Sequence, residues 1–99
     1  MHPKIYLSVP LNMPIREVAL VIIEARYKNA GYAVSNPVRF SHAGANLGSL
    51  GTRVCMLVLA SEVWFPKDFE RDPVCVAEYH YAYALGKHII VDKHRLLLC

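Results

Sequence analysis

The segment Asp72-Pro-Val-Cys-Val-Ala-Glu78-Tyr-His-Tyr-Ala-Tyr-Ala-Leu-Gly86-Lys-His-Ile-Ile-Val91 has the pattern of a helix that ends at a glycine and leads directly into a strand. Asp72 is a good helix N-cap, and Pro73 suits the first helical position, where a missing N–H costs nothing. Gly86 can adopt the left-handed conformation that commonly ends a helix. The segment therefore predicts a helix over 73–86 followed by a strand over 88–91.

Glu78 lies at the edge of the apolar face of this predicted helix. It shares a stripe with Cys75 and Ala82, beside a set of apolar residues at helical spacing: Val74, Ala77, Tyr81 and Leu85. A carboxylate in that position is costly unless another group satisfies or uses it. Two interpretations stay open. Glu78 is either an ordinary solvated residue, as most helical glutamates are, or part of a functional site.

The rest of the chain alternates short β-rich runs with helical patterns. A first strand begins at Lys4, and a long helix begins near Asn12 and Pro14 and ends at Gly31. A second strand is predicted at 32–35. A third is predicted at 54–60, because this run is apolar throughout, as in a central strand covered on both faces. The glycine-containing segment 41–53 is expected to be a mobile loop with at most a turn or two of helix.

This alternation predicts an α/β fold: a parallel sheet of four strands in the order 2-1-3-4, with helices on both faces. A fifth strand would be added if 95–99 joins the sheet. The length of 99 residues fits a single domain spanning 1–99.

Composition argues against several classes of function. The formal charge is only +3 and the basic residues form no run, so neither polymeric nucleic acid nor a membrane surface is an expected partner. The apolar runs are too short to span a membrane. Apolar residues make up 55% of the chain, which predicts surface buried in a homo-oligomer.

Cysteine and histidine patterns give no sign of a metal site or a disulfide framework. The three cysteines are widely separated and the five histidines lack ligand spacing, so we expect no metal and no cofactor. The first strand follows the initial methionine almost directly, which leaves no signal peptide and predicts a cytoplasmic protein.

Parallel sheets bind ligands beyond the carboxyl ends of their strands. Ser8 lies at the end of the first predicted strand, which covers 4–9, and Asn36 follows the second; both offer neutral hydrogen-bonding groups. Trp64, Phe65 and Phe69 fall in the predicted loop 61–69. These aromatic side chains either cover a flat ligand or a partner surface, or they pack beneath the loop, and the sequence favours neither alternative.

Three motifs come in a recognisable order: Lys4-Ile-Tyr-Leu-Ser-Val-Pro10, Ala30-Gly-Tyr-Ala-Val-Ser-Asn36-Pro37, and the Ala77-Glu78-Tyr to Ala84-Leu-Gly-Lys87 helix end. Together they resemble the nucleoside 2-deoxyribosyltransferase superfamily, from about Lys4 to Val91. The resemblance implies a flavodoxin-like, doubly wound, three-layer fold and a dimer or larger oligomer with shared active sites.

The resemblance also implies a chemistry. The helix glutamate of the family attacks C1′ of a nucleoside or nucleotide and releases the base, and Glu78 occupies that position. The expected function is therefore that of an N-glycosidase or deoxyribosyltransferase. The residues expected to bind its substrate lie in the motifs and at the strand ends: Tyr6, Ser8, Pro10, Asn12, Asn36, Trp64 and Asp72.

At several positions the chain lacks the residue that the family pattern has. Val9 replaces a glycine, Cys55 stands near an expected aspartate, and Asp72 replaces a serine that helps to hold a 5′-phosphate in nucleotide-hydrolysing relatives. Two alternatives to the enzyme therefore stay open. One is a homologue that binds or sequesters a nucleotide-type metabolite without turning it over, and the other is a protein-interaction module.

Overall fold

The structure is a computed structural model that describes residues 3–11, 17–38 and 50–93; for Glu17 and Leu50 it describes the backbone only. Its strands are β1 (Lys4–Leu7), β2 (Ala33–Ser35), β3 (Glu62–Phe65) and β4 (His88–Val91), and its helices are α1 (Glu17–Asn29), α2 (Leu50–Leu59) and α3 (Pro73–Ala84). A short 3-10 helix, Phe69–Arg71, precedes α3.

The four strands form one parallel sheet in the order β2-β1-β3-β4, as predicted. α1 packs on one face, against the cluster of Ile5, Leu7, Leu20, Ile23 and Trp64. α2 and α3 pack on the other face, where Tyr6, Leu57, Val63, Phe65 and Ala82 are buried together. The predicted α/β architecture with helices on both faces of the sheet is therefore confirmed.

The predicted ends of two elements are also confirmed. Asp72 caps α3 by accepting a hydrogen bond from the backbone N–H of Cys75, and Pro73 is the first helical residue. Gly31 and Gly86 follow α1 and α3 with φ of +95° and +72°, a conformation that costs glycine little.

The third strand was predicted at the wrong place. Residues 54–59 belong to α2, and the strand is Glu62–Phe65, inside the segment predicted as a loop. A short apolar run suits either a buried strand or a buried helix. Residues 54–59 are only part of α2; without the first turn, which carries Arg53, they form an unbroken apolar run, and Val58 and Leu59 within it are 42% and 71% exposed.

Some predictions fall on residues that the structure does not describe. They include the start of the first helix at Asn12, most of the loop predicted over 41–53, and the optional strand over 95–99. Residues 50–53 of that loop are helical, as the first turn of α2. Among the described residues, no helix has the length and apolar character needed to cross a membrane.

Candidate functional site

Glu78 is buried on the inner side of α3, with 4% of its surface exposed. α3 lies on the face of the sheet toward which Tyr6 points, so the carboxylate projects toward the carboxyl half of β1. The alternative that Glu78 is an ordinary solvated residue is therefore wrong. A buried carboxylate needs partners, and the surrounding elements supply them.

Tyr6 and Ser8 supply two of these partners. They lie two residues apart and point to the same face, as alternation along a strand requires. The Tyr6 hydroxyl lies 3.1 Å from Oε1 and 3.0 Å from Oε2 of Glu78, and the Ser8 hydroxyl lies 2.6 Å from Oε1. The structure thus brings together three of the residues that the sequence assigned to the site.

Arg53, on α2, is the third partner, and the sequence analysis did not identify it. Its Nε lies 2.8 Å from Oε2 of Glu78, and its Nη2 lies 3.0 Å from Oε1 and 2.7 Å from the carbonyl oxygen of Val9. The guanidinium side chain is only 1% exposed. Such a two-pronged ion pair between buried groups is the strongest form of this contact.

One sequence signal could have identified Arg53. It carries the only formal charge of α2, just as Glu78 carries the only formal charge of α3 when histidine is counted as neutral. A single charge on an otherwise apolar helix is expected to seek a partner of opposite sign when buried. Because 54–60 was predicted as a strand, Arg53 fell at the end of the predicted loop 41–53, and its position as the single charge of a helix was not recognised.

Burial and the carboxylate of Glu78 act together on the ionisation of its neighbours. Burial raises the pKa of Tyr6 well above its usual value, and the negative charge of Glu78 raises it further. Burial by itself lowers the pKa of Arg53, but the hydrogen bond to Glu78 and the attraction of Tyr6 and Glu78 outweigh this effect and leave the pKa raised. Both groups therefore remain hydrogen donors across the physiological pH range.

A cavity of about 330 Å³ lies between α2 and α3, with Glu78 in its wall. The other lining residues are apolar or aromatic: Val54, Leu57, Pro73, Val74, Ala77 and Tyr81. Cavities that bind small molecules commonly combine such a wall with a few polar groups. Of the residues predicted for the site, Glu78 is the one that lines this cavity, while Tyr6 and Ser8 hold its carboxylate.

Asn36 and Pro10 are both buried at the carboxyl edge of the sheet. The Oδ1 of Asn36 accepts a hydrogen bond from the backbone N–H of Val38, 3.0 Å away, and its Nδ2 has no partner in the described part of the chain. Neither residue lines the cavity. Asn12 lies outside the described residues.

Asp72 has a structural role in place of the expected contact with a substrate. It is fully buried, and its Oδ2 accepts hydrogen bonds of 3.2 Å from the backbone N–H groups of Cys75 and Leu11. It therefore joins the start of α3 to the loop after β1, and it is not among the residues that line the cavity.

The expectation that Trp64 covers a ligand is wrong. Trp64 lies on β3, is fully buried, and packs on the α1 face of the sheet, opposite Glu78. Its Nε1 donates to Asp92 at 3.2 Å. Phe65 is also buried and Phe69 packs against it, so these rings pack within the fold as the alternative interpretation held.

No metal site emerges from the described residues, among which no three histidine, cysteine, aspartate or glutamate side chains form a suitable group. Comparison of the chain with protein-family models, with curated proteins and with solved structures gives no match. The candidate function therefore rests on the geometry around Glu78 and on the motifs of the sequence.

Proposed function

We propose that the protein is an N-glycosidase or deoxyribosyltransferase that acts on a nucleoside or nucleotide, with Glu78 as the nucleophile. The supporting observation is that Glu78 is the one formally charged residue in the lining of an apolar cavity, and that three donors from neighbouring elements fix its position. A carboxylate held in this way can attack an oxocarbenium-like carbon or stabilise it.

The proposed reaction has two steps. A carboxylate oxygen of Glu78 forms a bond to C1′ while the C1′–N bond breaks, and the electron pair of that bond leaves with the nitrogen of the base. Water then attacks C1′, the carboxylate departs, and the proton from water reaches the base nitrogen. In a transferase, the nitrogen of a second base takes the place of water.

A second candidate function is binding without turnover. The Glu78 carboxylate has five donor–acceptor contacts of 3.1 Å or less, from Tyr6, Ser8 and Arg53. An anion so fully satisfied is a weaker nucleophile, and it still contributes a polar wall to a binding site. The third alternative, a protein-interaction module presenting an aromatic loop, loses its basis because Trp64 and Phe65 are buried.

We also propose that the functional form is a homo-oligomer that covers the outer side of α2 and α3. Leu59 and Tyr83 are 71% and 73% exposed there, and Val58 and Tyr81 are also exposed. The only formal charges of the two helices, Arg53 and Glu78, are buried against each other.

Free thiols at Cys55 and Cys75 fit a reducing compartment and support a cytoplasmic location.

A base-release assay beside calorimetric titration tests the enzyme against the binder. Nucleosides and their 5′-monophosphates are given to the wild type, to Glu78→Gln and to Glu70→Gln, a control because Glu70 is exposed on the 3-10 helix. We expect Glu78→Gln to lose about three orders of magnitude or more in kcat, because an amide cannot supply the anionic attack. Equal turnover by wild type and Glu78→Gln would falsify the nucleophile assignment. Affinity without turnover in the wild type would instead favour the binder.

A further inference from the structure

Arg53 joins the three parts of the fold that meet at Glu78. From α2, its Nε and Nη2 reach both carboxylate oxygens on α3, and Nη2 also donates to the Val9 carbonyl in the loop after β1. Val9 directly follows Ser8, which itself donates to Glu78. The guanidinium therefore places a positive charge beside the carboxylate, and it links α2 to α3 and to the loop after β1.

We propose that Arg53 is the positioning residue of this site, which keeps the Glu78 side chain ionised and oriented at the wall of the apolar cavity. Its catalytic part rests on the proposed function, whereas its effect on the charge of Glu78 does not. The role is distinct from that of Glu78, because Arg53 is not among the cavity-lining residues and acts through the carboxylate.

Burial makes such a partner necessary. An ionised carboxylate removed from water is strongly disfavoured unless an opposite charge and hydrogen bonds compensate for the lost hydration. Tyr6 and Ser8 are neutral donors, and Arg53 is the one formally charged group that contacts Glu78 in the described residues. Without the guanidinium, the folded chain would hold Glu78 more readily as the neutral acid, which cannot attack C1′.

Geometry distinguishes arginine from lysine at this position. Two separate nitrogens of the guanidinium contact the two oxygens of Glu78, and one of these nitrogens also reaches the Val9 carbonyl. An ammonium group has its donors on a single nitrogen and cannot reproduce this planar fork. A lysine should therefore keep the carboxylate charged but hold it less well oriented.

The first test measures stability against pH and needs no enzymatic activity. The free energy of unfolding is determined between about pH 5 and about pH 8 for the wild type, Arg53→Met, the double variant Arg53→Met/Glu78→Gln, and Arg71→Met as a control at an exposed arginine. Because Arg53→Met leaves the buried carboxylate without an opposite charge, we expect its folded state to favour the neutral acid more than the unfolded state does, so stability should fall as pH rises.

We expect the unfolding equilibrium constant of Arg53→Met to rise by up to about tenfold per pH unit relative to the wild type. The double variant and Arg71→Met should lack this additional slope. If Arg53→Met does not fold while the double variant does, the unpaired charge of Glu78 is what prevents folding, and this outcome supports the proposal. The proposal is overturned if Arg53→Met follows the pH dependence of the wild type, or if the double variant fails to fold together with the single one.

The second test uses Arg53→Lys in the base-release assay. We expect kcat to fall by about tenfold or more while KM stays within about threefold, because the substrate still meets the same cavity wall. An unchanged kcat in Arg53→Lys would overturn the orienting role. If the wild type itself releases no base, the proposed function fails, and the stability measurement alone decides whether Arg53 sets the charge of Glu78.

Discussion

The hydroxyl group of Tyr6 lies almost equally far from the two carboxylate oxygens of Glu78, at 3.1 Å from Oε1 and 3.0 Å from Oε2, across 72 positions of sequence. One O–H group can donate fully to only one of them at a time. Oε1 also accepts from Ser8 and from Arg53 Nη2, whereas Oε2 accepts otherwise from Arg53 Nε. Oε2 is therefore the oxygen that we expect to attack, because it has a free lone pair whenever Tyr6 turns to Oε1.

Tyr6→Phe should destabilise the fold without disturbing the packing of the ring. The variant removes a buried donor to a charged acceptor, which typically costs about 1–3 kcal/mol in the free energy of unfolding. Chemical denaturation measures this change. Tyr27→Phe is the matched control and should change stability much less, since Tyr27 lies on α1 at the opposite face of the sheet and does not contact Glu78. Equal stability of Tyr6→Phe and wild type would contradict the inferred hydrogen bond to Glu78.

Trp64 should matter for stability and not for ligand affinity. It is fully buried beneath α1, so Trp64→Ala is expected to cost about 3–5 kcal/mol through the cavity that it leaves. Trp64→Phe keeps most of the volume and loses the hydrogen bond to Asp92. Calorimetric titration of folded Trp64→Phe with a nucleoside or nucleotide should give the wild-type affinity. A loss of affinity of about tenfold or more would instead indicate that Trp64 contributes to binding.

How far the fold could be predicted depended on whether local signals agreed. Asp72, Pro73 and Gly86 set the limits of α3 because capping and backbone freedom are properties of a few neighbouring residues. The run 54–60 carried no such signal. Every residue in the run is apolar, including Val58 and Leu59 on the exterior, and a run this short does not by itself separate a helix from a strand.

The candidate site was predictable where a strand or helix period defined a face. Tyr6 and Ser8 alternate toward one side of β1, and Glu78 falls beside the apolar stripe of α3. Arg53 could not be found in the same way, because its pairing with Glu78 depends on how α2 lies against α3 across 25 positions of sequence. The cavity between these helices likewise exists only once the layer is assembled.

The two described cysteines should differ sharply in their reactivity. Burial raises the pKa of the Cys75 thiol to about 12, with the negative charges of Asp72 and Glu78 contributing, whereas Cys55 is exposed. Only the thiolate is alkylated efficiently, so at about pH 8 iodoacetamide should spare Cys75 in the folded protein and should modify Cys55 in the folded Leu59→Glu variant, in which the proposed interface is disrupted. Peptide mass spectrometry before and after unfolding measures both sites. Rapid modification of Cys75 in the folded chain would contradict its burial against the backbone carbonyl of Ser8.

The proposed oligomer should depend on the apolar outer side of α2. We expect light scattering at tens of micromolar to give at least a dimeric mass for the wild type, and Leu59→Glu to shift that mass toward the monomer, because an unpaired charge is costly in an apolar interface. Lys67→Glu, at an exposed position between β3 and the 3-10 helix, is the control for changing the charge elsewhere. A monomeric wild type at that concentration would rule out the proposed assembly.

Ala77→Phe should obstruct the cavity without altering the groups that hold Glu78. Ala77 lines the cavity, and its small side chain makes none of the recorded contacts with the carboxylate. Its helix propensity changes by less than about 1 kcal/mol, so the fold should persist. Base release and calorimetric affinity for the nucleoside should both fall by about tenfold or more, as expected when a ligand loses its space. Ala25→Phe places the same ring at an exposed position of α1 that does not line the cavity, and it should behave as the wild type. Full activity in Ala77→Phe would place the substrate somewhere other than between α2 and α3.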